Sequence, residues 1–189
     1  MLQIDAVALH GITLDMALKI CKHSLILIGT TLESILNQVN IRAIKEKLNE
    51  SEFKELALVM RDPRASDVSQ DIKRRLINFV NSEDIEELVK SNLNNKLSLY
   101  ICIDFIRYSA TYIDHQYDFG KIMITHSIYG SLMQEAPSYF LTLKKIPKLY
   151  ANFVRAWESL KKRSGVDKVS NIMDLYNFRK KISTNIFTN

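Results

Sequence analysis

The chain predicts an all-α fold: one compact, bundle-like domain over residues 1–189 with about eight to ten helices. Three observations carry that expectation. The 189 residues include only five glycines and three prolines, the residues that punctuate helices most strongly. No glycine-rich loop is present. Apolar residues recur at steps of three and four through long runs, the period of a helix with one buried face.

Taken in order, the first helix is predicted from Thr13 through Ile28, on Leu14, Leu18, Cys21, Leu25 and Ile28. A second spans Leu32 to Leu48 on Leu32, Ile35, Leu36, Val39 and Ile44. Asn49, with Glu52 three residues on, has the form of a capping pair and opens a short helix through Met60. Pro63 biases Asp62 away from helical dihedrals, so the segment from Asp62 to Asp67 is a turn. Asp67 and Gln70 cap the next helix, which runs through Phe79. Ser82 opens another, with Glu83 and Asp84 in the first turn where the helix dipole favours acids.

Asn92, Asn94 and Asn95 mark a loop. From Leu97 to Ile103 the apolar residues alternate, as in a strand, but Leu99, Ile103, Ile106, Ala110 and Ile113 keep helical steps for longer. Length predicts a helix from Leu99 to Phe119. Another helix follows Gly120, and Pro137 and Pro147 stand as first-turn prolines of later ones. The Pro147 helix places Leu149, Phe153, Trp157 and Leu160 on one side and closes at Gly165. Asp167 caps a last helix to about Ile182, and 183–189 form a polar tail that frays.

Net charge is +5, unevenly spread. From Leu141 onward there are 11 Lys/Arg against 3 Asp/Glu, whereas residues 1–140 hold 15 against 18. A mildly acidic body thus carries a basic C-terminal quarter, which favours an anionic partner there. Cys21 and Cys102 are isolated in apolar stretches, the pattern of buried free thiols in a reducing compartment. Met1-Leu2-Gln3-Ile4-Asp5 lacks the basic start of a signal peptide. The longest stretch free of Asp, Glu, Lys and Arg, Ile122 to Gln134, has 13 residues, too few to span a bilayer. A soluble, intracellular, cytoplasmic protein is expected.

Two constellations could carry function. On the predicted helix, Asp104, Arg107, Thr111, Asp114, His115 and Asp118 fall within about a third of a turn, beside Phe105, Tyr108 and Tyr112. An ionisable stripe on a mostly apolar helix can line a cleft and act as acid and base. As an ordinary wet face it would hold the pairs Asp104–Arg107 and Asp114–Asp118. The stripe is similar to that of HEPN-type ribonucleases, helical bundles in which an arginine and a nearby histidine act on RNA at a dimer interface. Here seven residues lie between Arg107 and His115, more than in that family, and Tyr108 stands where its asparagine follows the arginine.

The second constellation is the basic region. Lys148, Arg155 and Lys162 recur every seven residues, with Lys144, Lys145, Lys161 and Arg163 nearby and Lys168, Arg179, Lys180 and Lys181 beyond. Tyr150, Phe153, Trp157, Tyr176 and Phe178 interleave with them. Cations neutralise phosphates and flat rings stack on unpaired bases, so this pairing suits nucleic acid. Phe153 and Trp157, on the same side as Leu149 and Leu160, read as the core stripe of an amphipathic helix, and the basic face can bind phosphates without them.

His10, His23, His115 and His126 are scattered and no metal-ligand spacing occurs, so no metal or cofactor is expected. Walker, dinucleotide and Gly-x-Ser-x-Gly motifs are absent as well. The expected function is non-enzymatic: basic C-terminal helices engaging an anionic partner, RNA or DNA before an acidic protein surface. The alternatives are a HEPN-like ribonuclease and an assembly or adaptor subunit, with an oligomer possible.

Overall fold

Ser24–Ile28, Glu55–Arg61 and Leu97–Cys102 are strands in the computed structural model, which describes residues 13–32, 38–92, 94–104, 108–125 and 138–186. These strands (β1, β2 and β3) pair in parallel, Ser24 beside Glu55 and Leu56 beside Leu97. Helix α2 (Gln38–Asn49) follows β1, and α3 (Gln70–Asn81) and α4 (Glu83–Lys90) follow β2. On one flank an antiparallel meander adds β4 (Ser109–Ile113), β5 (Lys121–Thr125) and β6 (Ser138–Thr142). On the other, β7 (Val166–Val169) runs antiparallel to β3. The strand order is β6-β5-β4-β1-β2-β3-β7. Helix α1 (Leu14–Ile20) precedes β1, α5 (Pro147–Leu160) links β6 to β7, and α6 (Ile172–Ile186) ends the described chain.

The all-α expectation, the helical bundle and its eight to ten helices, is therefore overturned by a seven-stranded mixed sheet with six described helices. The reason is the burial of both faces. β1 and β3 are buried at every position, and β2 from Leu56 to Arg61. A doubly covered strand needs no polar side, so its run lacks the alternation that marks a half-exposed strand. The predicted first helix stops at Ile20 and its second half is β1. The Asn49 capping pair opens no helix, since β2 follows it. The Leu99–Phe119 helix is β3 and β4, and the segment after Gly120 is β5. Pro137 lies outside the described residues.

Two of the predicted helix starts correspond to helices. Ser82 Oγ accepts from the Ile85 amide and opens α4, while it donates to the Phe79 carbonyl as α3 ends. Pro147 occupies the first turn of α5. Ser69, not Asp67, caps α3. Asp167 lies within β7, and α6 begins only at Ile172 and reaches Ile186.

Two cores result. Leu25, Leu27, Leu56, Leu58, Met60, Leu99 and Ile101 face α1, α2, α3, α4 and α6 through residues such as Ile44, Phe79, Leu88 and Phe178. On the opposite face Ile26, Val59, Tyr100, Tyr112, Ile122 and Leu141 pack under α5 through Tyr150 and Trp157. Leu149, expected in the stripe, is instead 37% exposed, and Tyr150 takes the buried place. Cys21 and Cys102 are buried free thiols in different cores, their pKa values pushed up by burial to about 11 and about 12.

Candidate functional site

The sheet separates the ionisable stripe. Asp104 follows β3 at the carboxyl edge of the parallel strands, where its carboxylate accepts from Arg163 at 3.1 Å. Asp114, His115 and Asp118 follow β4 at the opposite edge, and Arg107 lies outside the described residues. Asp104 and His115 therefore flank the two ends of one strand and share no cleft. The sheet also overturns the helical-bundle fold that the ribonuclease resemblance implied.

Asp114 has an architectural role. Its buried carboxylate accepts the amides of Lys22, His23 and Ser24 at 2.8, 2.6 and 2.8 Å, anchoring the segment that enters β1. Its φ of 48° starts a double turn, with the Tyr117 amide donating to the Asp114 carbonyl and the Gly120 amide to the Tyr117 carbonyl. Gly120 closes the turn because a Cβ there would meet the Asp114 carbonyl oxygen at 2.4 Å. Tyr150 of α5 braces it from below, donating to the His115 carbonyl at 3.0 Å.

His115 itself is buried, and its ring nitrogens have no hydrogen-bond partner among the described residues. Burial pulls its pKa down to about 4, against the opposing effect of Glu158. The Tyr112 ring meets it edge-on at 5.8 Å. Asp118 is exposed.

The basic residues divide between the two faces of the sheet. On the α5 side, Lys148 and Arg155 are exposed on the helix, Lys144 and Lys145 precede it, and Lys162 and Arg163 follow it. Lys161 pairs with Glu158 and lies 5.0 Å over the Trp157 ring. Glu158 is the sole carboxylate from Leu143 to Gly165. Lys168, on the edge strand β7, lies over Tyr100.

Across the sheet, the α6 cations serve packing. Arg179 donates to the Val80 and Ser82 carbonyls and pairs with Glu86, bolting α6 to the α3–α4 junction. Lys181 pairs with Asp167, which also takes Arg64, and Lys180 is exposed. The carboxyl edge is similarly self-paired. Buried Arg61 donates to the Ile103 carbonyl and pairs with Asp67, and buried Asp62 holds Arg64 at 2.6 Å.

One cluster at the amino edge escaped the sequence reading. His23, just before β1, stacks on Tyr117 of the double turn at 4.3 Å between centroids, and Tyr117 stacks on Phe119 at 5.4 Å. Lys22 lies 6.0 Å over the Phe119 ring, and Lys54 reaches the Tyr117 hydroxyl at 3.2 Å. No local signal announces this cluster. Its parts come from three distant segments that only the β2-β1-β4 pairing brings together.

No protein-family model matches the chain, and no curated protein matches it. Among solved structures it is similar to that of TrmBL2, an archaeal chromatin protein described as binding DNA in a novel mode. The likeness has a TM-score of 0.47 at 12% identity, over 80% of this chain and 49% of that one. The chain thus spans about half the length of that protein.

Among the described residues no helix is long and apolar enough to cross a membrane. None of their His, Cys, Asp and Glu side chains cluster as a metal site. Among the described residues, α5 presents exposed cations and the turn after β4 presents an exposed aromatic ring. β5 and β6 join them, since Lys121 follows the turn and pairs with Thr142, from which the chain leads through Lys144 and Lys145 into α5.

Proposed function

We propose that this protein binds nucleic acid through the α5 face, contacting phosphates without reading sequence. The observation that carries the reading is the outer line of α5: Lys148, Asn152, Arg155, Ser159 and, in the turn beyond, Lys162. All five are exposed and none is acidic. Their alternating steps of four and three keep them on one side of the helix. Lys144, Lys148 and Lys162 form no ion pair among the described residues, so their ammonium groups are available to phosphate. Arg155 is already oriented by a hydrogen bond to Asn152 at 2.5 Å. Seven residues of helix rise about 10 Å, which sets the cations along a line that a phosphate backbone can follow.

The reading rests on α5 rather than on the whole basic quarter, because Arg179 and Lys181 of α6 are held by Glu86 and Asp167 on the far side of the sheet. The test is fluorescence anisotropy of a labelled oligouridylate at about 50 and about 200 mM salt, where several phosphate contacts weaken binding by a hundredfold or more. The triple variant Lys148→Glu, Arg155→Glu, Lys162→Glu is expected to lose most of the affinity and to lower the log–log salt slope by about 2. An unchanged slope would remove α5 as the contact surface. Absence of binding by the wild-type protein at low salt would leave an acidic protein surface as the partner to pursue.

A further inference from the structure

We infer that the His23–Tyr117–Phe119 cluster is a base-stacking platform, so that the ligand is single-stranded nucleic acid. The inference rests on the nucleic-acid reading above and adds its substrate class. Phe119 is 53% exposed although it stacks on Tyr117. An exposed ring beside two half-buried ones leaves aromatic surface at the margin of the cluster in contact with solvent. Every base has a π-face, whereas a duplex keeps its faces stacked inside.

The turn is preorganised. Asp114 is held by three backbone amides, the two i-to-i+3 hydrogen bonds close the turns, and Tyr150 fixes the His115 carbonyl from α5. The His23 ring is placed in turn by its Nδ1, 3.2 Å from the Glu52 carbonyl. A platform fixed before binding loses little side-chain entropy when a base arrives.

The charge around it is right for a strand. Lys22 and Lys54 flank the rings, Lys121 follows them, and Lys144 lies past the Thr142 register partner of Lys121. The same segments carry the carboxylates of Glu52, Glu55, Asp114 and Asp118; Asp114 is buried against three backbone amides, whereas Glu52 and Asp118 are exposed. Lysines at the margin and rings at the centre match a strand whose phosphates run past while one or two bases turn inward. The α5 helix begins five residues after Thr142, the register partner of Lys121, so Lys148 enters the helix from the same edge of the sheet.

The experiment compares Phe119→Ala and Tyr117→Leu with the wild-type protein on a labelled oligouridylate, an oligothymidylate and a duplex of equal length. Both variants keep every charge, and circular dichroism checks their folding. Loss of a stacking contact is expected to weaken single-strand binding on the order of tenfold, with the salt slope and duplex binding unchanged.

Wild-type affinity in both variants, with the α5 triple variant still defective, would overturn the platform and leave the α5 reading standing. Equal losses on single strand and duplex would also overturn it, because a duplex offers no base face. Failure of the wild-type protein to bind any of the three would remove both readings together.

Discussion

At the residue scale, His115 shows how little a side chain's chemistry says before its surroundings are known. In the sequence it stands among acids and an arginine and reads as an acid–base candidate. In the fold it is a buried, neutral imidazole under α5, and its pKa of about 4 reflects burial first. The consequence is a stability effect with a definite sign. A free imidazole takes its proton near 6.5, while the folded one resists until about 4. The folded state therefore binds fewer protons in that window, and stability present above pH 6.5 is lost as pH falls toward 4. Between about pH 7 and about pH 5 the loss is on the order of 2 kcal/mol. Urea unfolding at both values, for the wild-type protein and His115→Gln, isolates the effect from the carboxylates. The wild-type protein should lose more stability than the variant, and equal losses would show that the imidazole is not held neutral.

At the element scale, two helix starts were legible because a single local interaction defines them, whereas the Asn49–Glu52 pair has the same local form and leads into β2. Ser82 with the acids after it, and Pro147 at a first turn, specify helix starts without help from the rest of the chain. Strands were illegible for the opposite reason. Leu97, Leu99 and Ile101 do alternate, but Ser98 and Tyr100 between them are buried too, so a six-residue strand offers no polar side. Its apolar positions then fit helical steps that run on into β4, and length favours the wrong element. The same logic identifies α5 as the most exacting helix, since among the described helices it alone covers the second core. Trp157, 1% exposed and edge-on to Tyr100 at 5.3 Å, fills the centre of that contact. Trp157→Ala should cost about 4 kcal/mol, read as a lower denaturant midpoint by circular dichroism. A shift under about 1 kcal/mol would mean that the face is covered by something other than α5.

At the scale of the whole molecule, the C-terminal charge was legible but its division was not. The count of 11 cations against 3 acids treats α5 and α6 as one basic end, and the sheet sets them on opposite faces. The aromatic turn was invisible for the complementary reason: Lys22 meets Phe119 and Lys54 meets Tyr117 only through strand order, which no window of sequence encodes. This division yields a comparison that total charge cannot mimic. Lys148→Glu and Lys180→Glu change net charge equally, and both lysines are exposed without an ion pair among the described residues. Long-range attraction to a polyanion would weaken both variants alike, because it depends on the summed field. Contact with phosphates on one face releases counterions only there. Anisotropy at about 100 mM salt should then show roughly tenfold weaker binding for Lys148→Glu and a change within about twofold for Lys180→Glu. Equal losses would make the basic quarter a diffuse attractor and deprive α5 of its special role.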